Sequence, residues 1–251
     1  MTRTVDINCD MGSSFGVYER GDDAEVMPYV TSANISAGFH GGDPHVIRET
    51  VQLATDHGVT VGVHPRLPDR MGFGLRRLDA TPEEISDYVL YQLGALGAFA
   101  EYAGVEVSHV KPHGALYAML SEDASLTRAV LAALKGLEGY AFVASDCHIA
   151  RVAADYDVPT AIEGYVDISY RPDGRVETDV TYSDPETVAD RFVELVDDGR
   201  VGTVDGDTLE FDVDTVCIHG NFVNAVPALK TIHRRLSTLD VELTRLDELL
   251  Y

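Results

Sequence analysis

The chain has 251 residues, 45% of them hydrophobic, which is enough to bury a substantial core, and it contains no run of 18 apolar residues that would span a bilayer. Its 42 acids against 19 bases give a formal charge of -23, a field that repels nucleic acid and anionic lipid and so argues against both as partners. The acids are dispersed and only Lys111, Lys135 and Lys230 are lysines, a surface expected of a halophilic protein, since screening over about 3 Å in 1 M salt removes self-repulsion.

The N-terminus leads straight into a strand pattern without signal-peptide features, so a cytoplasmic location is expected. Cys9, Cys147 and Cys217 are widely spaced and form no CxxC pair, which predicts reduced, mostly buried thiols. Residues 4–10 alternate, putting Asp6, Asn8 and Asp10 on one face of a first strand and Val5, Ile7 and Cys9 on the other. A solvated edge strand would account for the polar face, and so would an inward row in a barrel or an active site. A loop and a short acidic helix over residues 22–27 follow.

Residues 29–37 read as a buried second strand ending in Gly38-Phe39-His40-Gly41-Gly42-Asp43, a turn whose glycines permit positive φ and close approach of a ligand. Asp43 precedes Pro44 and a helix that stops at Gly58, so it is both an N-cap and a binding candidate. His40 has no such structural role. A third strand, residues 59–63, ends at His64-Pro65. The loop 66–77 then carries Arg66, Arg70, Arg76 and Arg77, either an anion site or a set of surface ion pairs.

Thr81 with Glu84 forms a capping box for a helix reaching about Tyr102. A fourth strand, 105–111, ends in Lys111-Pro112-His113. Helix 123–137, strand 140–144, helix 149–156 and strand 159–162 bring the chain to Glu163. Residues 167–182 read as irregular or hairpin-like around Pro172-Asp173-Gly174. A helix over 185–198, a polar excursion over 199–212, a seventh strand over 215–218 ending in His219-Gly220, and a helix over 225–237 complete the pattern.

Alternating strands and helices imply a parallel α/β architecture, and seven strands suit an incomplete or distorted barrel, with an open doubly wound sheet as the other arrangement. Asp10, His40, His64, Lys111 with His113, Ser145, Glu163 and His219 each fall at or just past the C-terminal end of a different strand, the end that carries the active site in barrels. His45, His57, His148 and His233 lie on helices or helix ends, where solvent exposure is expected. The strand-end histidines with Asp6, Asp10 and Lys111 make a polar mouth suited to hydrolysis, either through a divalent metal held by Asp10, His40 and His64 or through general bases with no metal. No HExxH helix is present, and no lysine follows a GxxxxG run, which excludes a P-loop.

The strings Asp6-Ile-Asn8-Cys-Asp10-Met-Gly12, Ser32-Ala-Asn34-Ile35-Ser-Ala-Gly38-Phe-His40-Gly-Gly-Asp43, Gly62-Val-His64-Pro65, Pro68-Asp69-Arg70-Met-Gly-Phe73-Gly74 and Val110-Lys111-Pro-His113-Gly114-Ala-Leu-Tyr117 resemble the LamB/YcsF family, in the same order and over nearly the whole chain. The resemblance implies a seven-stranded (β/α) barrel-like single domain over residues 1–251, of the polysaccharide-deacetylase kind. It also implies opening of the 5-oxo-L-proline lactam to L-glutamate, with ATP as co-substrate and in association with 5-oxoprolinase B and C subunits. Under it, Asp10, His40, His64, Lys111 and His113 form the catalytic set, with Lys111 and Arg70 neutralising phosphate or carboxylate charge. Asp6, Asn8, Asn34, Asp43, Asp69, Arg70, Tyr117, Glu163 and His219 are the expected substrate-binding residues.

The family pattern has Glu at Ser13, Asn at Ala118, Arg near Ile168 and Asp at Asn221. The changes at Ser13, Ile168 and Asn221 would suit a divergent non-catalytic binding subunit, whereas a bound divalent ion would suit a metal-dependent amide or N-acetyl hydrolase that needs no ATP. The sequence leaves open whether the chain is also a homo-oligomer.

Overall fold

The computed structural model describes residues 3–250. Its strands in chain order are β1 (Arg3–Met11), β2 (Ser32–Ser36), β3 (Thr60–His64), β4 (Val107–Val110), β5 (Ala141–Ala144), β6 (Thr160–Tyr165), β7 (Ile168–Tyr170), β8 (Val176–Thr181), β9 (Arg200–Gly202), β10 (Thr208–Glu210), β11 (Thr215–Cys217) and β12 (Val241–Leu243). The helices are α1 (Asp23–Val26), α2 (Pro44–His57), α3 (Pro82–Ala103), α4 (Gly114–Glu122), α5 (Ala124–Lys135), α6 (Cys147–Ala153), α7 (Pro185–Asp198), α8 (Ala225–Leu236) and α9 (Leu246–Leu250).

Strands β1 to β6 pair in sequence order, and β11 pairs with both β6 and β1, so seven parallel strands close on themselves. Closure removes the open sheet, and with it the solvated edge that the polar face of the first strand allowed. Asp6 stands opposite Thr215 and Asn8 opposite Cys217 on one side, while Asn8 stands opposite Ser32 and Asp10 opposite Asn34 on the other. Because strand side chains alternate with period two, this register gathers the polar residues of β1, β2 and β11 inside the barrel. The alternate positions Val5, Ile7, Cys9, Ala33, Ile35 and Val216 belong to the apolar shell under the helices.

The inward row needs room. Gly62 on β3 supplies it, since a Cβ there would sit 2.0 Å from Nε2 of His109, whose ring fills the space beside it. At the opposite end, α9 tucks Leu246 against Val143 and Ala161, and Asp247 accepts a hydrogen bond from the Thr60 hydroxyl at 2.8 Å. β12 pairs only with the first residues of β1, outside the closed ring.

Helix signals act as expected. Asp43 caps α2 by accepting from the backbone N–H of His45 and Val46, and Gly58 ends that helix in the left-handed region. Thr81 and Glu84 make the reciprocal capping box of α3. The buried stripe Ile85, Val89, Leu93, Leu96 and Ala100 then lays that helix on the barrel, each large aliphatic contributing about 1.5–3 kcal/mol. Two expectations are corrected. The helix expected over 123–137 is preceded by α4, with Asp123 between them capping α5, and the polar excursion is a hairpin of β9 and β10. The hairpin around Pro172 is present as β7 and β8. Cys9 and Cys217 are buried and Cys147 is exposed; all three are free. Among the described residues no helix is long and apolar enough to cross a membrane.

Candidate active site

The barrel interior is organised around one ammonium. Lys111 follows β4 and turns inward, where its Nζ lies 2.8 Å from Glu163 Oε1, 2.9 Å from Asp10 Oδ1, 3.0 Å from Asn8 Oδ1 and 3.0 Å from Cys217 Sγ. Burial disfavours the charged amine, but Asp10, Cys217 and Glu163 outweigh it and hold Lys111 well above the usual lysine range. Burial likewise pushes Asp10 up, while His64 and Lys111 pull it well below the usual carboxylate range, so Asp10 stays ionised. Asn34 donates to Asn8 Oδ1 and Asp10 Oδ1 at 2.7 and 3.0 Å. Its own carbonyl oxygen accepts from His109 Nε2 at 2.8 Å, which fixes the proton of that buried neutral ring.

Deeper still, Asp6 accepts from the hydroxyls of Thr31, Ser32 and Thr215 at 2.6, 2.6 and 2.5 Å. Burial raises its carboxyl to about 6 despite these bonds. Glu163, on β6, accepts from Asn8 at 2.9 Å and from the Tyr165 hydroxyl at 2.5 Å, with the Tyr117 hydroxyl at 3.3 Å. Asp6, Asn8, Asn34, Tyr117 and Glu163 therefore form the layer beneath the mouth.

At the mouth, Asp10 shows its second oxygen. Oδ2 lies 3.1 Å from His64 Nε2 and 3.9 Å from His219 Nε2. The His64 ring is followed by His113, whose Nδ1 is 3.0 Å from His64 Nε2, and the His40 ring lies parallel to that of His113 with centroids 4.0 Å apart. The structure thus brings together His40, His64 and His113 from the C-terminal ends of three separate strands.

His219 stands across from them between Phe222 and Tyr165, stacked at 4.7 and 5.9 Å. Asp167 accepts from its Nδ1 at 3.0 Å and from its backbone N–H at 2.6 Å. Burial alone would lower this imidazole, but the Asp167 carboxylate prevails and raises it. An imidazole held through Nδ1 by a carboxylate presents Nε2 to the cavity as an acid or base.

Each loop arginine has a partner within the protein. Buried Arg66 donates to the carbonyls of Gly74 and Arg76, both at 2.5 Å. Arg70 donates to the carbonyls of Gly38 and Gly42 and lies over the Phe15 ring at 3.7 Å. Arg76 pairs with Asp69, which also accepts from Gly72 N at 3.0 Å, and Arg77 pairs with Glu122 at 2.5 Å. Asp69 and Arg70 hence shape the rim, and Asp43, beyond its capping role, accepts from Gly16 N at 2.7 Å. Lys111, with its four internal partners, is placed to set the charge state of Asp10 and is enclosed away from a phosphate, whereas Arg70 is exposed and uses only Nη2 in the bonds above. Of the residues set aside as exposed, His45 and His57 are exposed, while His148 and His233 are half-buried.

Two site residues escape the sequence reading. His109 is signalled by period two, since it lies two residues before inward-facing Lys111. Asp167 is hidden in the stretch read as irregular and has no local signal, because its partner is 52 residues away.

A closed parallel barrel with a carboxylate, three clustered imidazoles and an Asp–His pair at its strand ends has the make-up of a hydrolytic α/β barrel. The fold alone is shared with a deacetylase solved with its substrate, at TM-score 0.53 and 14% identity over 99% of this chain and 90% of that one. The particular membership is sharper: the LamB/YcsF family profile matches residues 5–250, and the chain belongs to that family. It is 43% identical over 238 residues to the A subunit of 5-oxoprolinase from Pyrococcus furiosus, covering 92% of this chain and 93% of the relative. The lactam utilization protein of Thermus thermophilus superposes at TM-score 0.89 with 37% identity, covering 96% and 98% of the two chains.

Proposed function

We propose that this chain is the A subunit of a 5-oxoprolinase, opening the lactam of 5-oxo-L-proline to L-glutamate with ATP as co-substrate and with B and C subunits as partners. The observation that carries the reading is near-full-length likeness to relatives that bear the name of the 5-oxoprolinase A subunit.

The chemistry fits the site. A five-membered lactam is an unreactive amide, and opening it requires attack at the carbonyl carbon and a proton on the departing nitrogen. Asp10, kept anionic by His64 and Lys111, orients the attacking water at the mouth, and the imidazoles clustered beside it accept that water's proton. His219, kept protonated more readily by Asp167, donates from Nε2 to the nitrogen as the C–N bond breaks. Transfer of the γ-phosphoryl group of ATP to the lactam oxygen, with release of ADP, would activate the carbon for attack; after the C–N bond breaks, a second water would release phosphate and leave glutamate. We assign the nucleotide to the partner subunits, because this chain has no P-loop and its buried Lys111 is enclosed by internal partners. We place the protein in a salt-rich cytoplasm.

The test is glutamate release from 5-oxoproline by the chain mixed with B and C subunits in high salt, with and without ATP. Release that requires both ATP and this chain is expected. No release with all three subunits and ATP would overturn the reading, and release by this chain alone without ATP would point to an independent amide hydrolase.

A further inference from the structure

The backbone decides which nitrogen of two mouth histidines carries the proton. The carbonyl of Lys111 lies 2.7 Å from His64 Nδ1, and that of Phe73 lies 2.8 Å from His113 Nε2. A carbonyl oxygen only accepts, so both of those nitrogens donate. The remaining nitrogens, His64 Nε2 and His113 Nδ1, are then lone-pair atoms in the neutral rings. They face each other at 3.0 Å, and the Asp10 carboxylate adds a third acceptor 3.1 Å from His64 Nε2. Three acceptors converge, all largely withdrawn from solvent, with no donor among them.

Such a set is unfavourable unless a cation lies between its members. One proton on His64 Nε2 would have to be divided between Asp10 and His113, whereas an ion meets all three lone pairs; the buried His40 Nδ1 beside them has no hydrogen-bond partner among the described residues. Separations of 3.0 and 3.1 Å are close to the roughly 3.3 Å edge of a tetrahedron with metal–ligand bonds of 2.0 Å. The outer contacts match as well: a metal-bound imidazole ordinarily donates its other N–H to a backbone carbonyl or carboxylate, as both rings do here. Asp10 is braced in the same way through its other oxygen by Asn34 and Lys111.

We propose that Asp10 Oδ2, His64 Nε2 and His113 Nδ1 form a site for a divalent transition metal of the zinc class. His113 replaces His40 in the trio expected from sequence. The two rings are parallel at 4.0 Å, so their in-plane lone pairs run side by side and only one ring can aim at a given ion. His64 and His113, by contrast, are inclined at 69°, which lets their lone pairs meet. His40 Nδ1 remains beside the ion as an acceptor for whatever enters the mouth. A mixed nitrogen and carboxylate set of three, with the mouth side open, favours zinc or cobalt over magnesium or calcium, which prefer all-oxygen shells.

The site shares Asp10 with the lactam reading, but its test reads metal rather than turnover, so either can fail without the other. The full chain, stripped with a chelator and dialysed, is titrated with Zn2+ by calorimetry and with Co2+ by the visible bands of four-coordinate cobalt. The wild type is expected to take up one ion per chain and to melt at a higher temperature when loaded. His64→Ala and His113→Ala are each expected to weaken binding beyond the roughly 10–100-fold that loss of an outer partner costs, while His40→Ala stays within about 10-fold of wild type. Circular dichroism identifies any variant that fails to fold, and for it His64→Gln or His113→Gln is substituted. No stoichiometric ion in the wild type, or tight binding retained in a folded His113 variant, overturns the proposal.

Discussion

The two ends of the barrel are built from the same seven strands and do opposite things. At the N-terminal end the chain closes the barrel with its own last helix, Leu246 resting on Val143 and Ala161. At the C-terminal end, loops after β1, β2, β3, β4, β6 and β11 leave a mouth lined by Asp10, His40, His64, His113, Asp167 and His219. The bottom is a packing problem solved by shape, and the top is an electrostatic arrangement held by paired groups. Between them lies the Lys111 layer, which belongs to both.

The sharpest way to break the contrast is at the top. His219→Ala is expected to lower kcat for glutamate release by roughly 100- to 10,000-fold, the usual worth of a positioned acid or base, while the melting temperature stays near wild type. An equal loss of stability and rate would mean that His219 is a packing residue between Phe222 and Tyr165.

The middle layer should show both kinds of damage. Lys111→Met leaves Asp10 and Glu163 facing each other without their shared cation, at a cost of about 3–5 kcal/mol in chemical denaturation together with loss of activity. If that variant unfolded at the wild-type denaturant concentration, the ammonium would not be the hub of the interior.

At the bottom, Leu246→Ala should cost about 2–5 kcal/mol through the cavity it opens, with kcat unchanged at a temperature where the variant remains folded. Reduced kcat in the folded variant would show that the two ends are mechanically coupled.

The smallest effect concerns pH. Asp6 has its carboxyl raised to about 6 against an ordinary 3.8, so the fold prefers its protonated form. The stabilisation it brings is complete below the unfolded value and disappears as pH rises through about 6. Asp6→Asn cannot ionise, so the wild type should lose stability relative to that variant across this window. Parallel curves would show that Asp6 is ionised throughout.

The contrast also explains what could be read in advance. The top was legible because a barrel places its reactive groups at strand ends, so His40, His64, Lys111, His113 and His219 announced themselves by position. Their partners were less so. Asp167 follows a strand that ran three residues past its expected end, and Glu163, expected at the rim, lies within β6 and points into the interior. The arginine loop read as an anion site or a set of surface ion pairs, and Arg76 and Arg77 do form ion pairs, but composition does not reveal that Arg66 and Arg70 fold back on the carbonyls of Gly74, Arg76, Gly38 and Gly42. The bottom was nearly illegible, since β12 has three residues and α9 five, too short for any periodicity, and both depend on the finished barrel for a surface to rest on.

The two oxygens of Asp10 face in different directions, one toward Lys111 and Asn34 and the other toward His64 and His219. A single carboxylate is therefore shared by the scaffold and the reaction, so natural drift at this position cannot trade durability against turnover. Every replacement alters both at once, and an isosteric amide, which must present its nitrogen to one side or the other, is forced to choose which half it imitates.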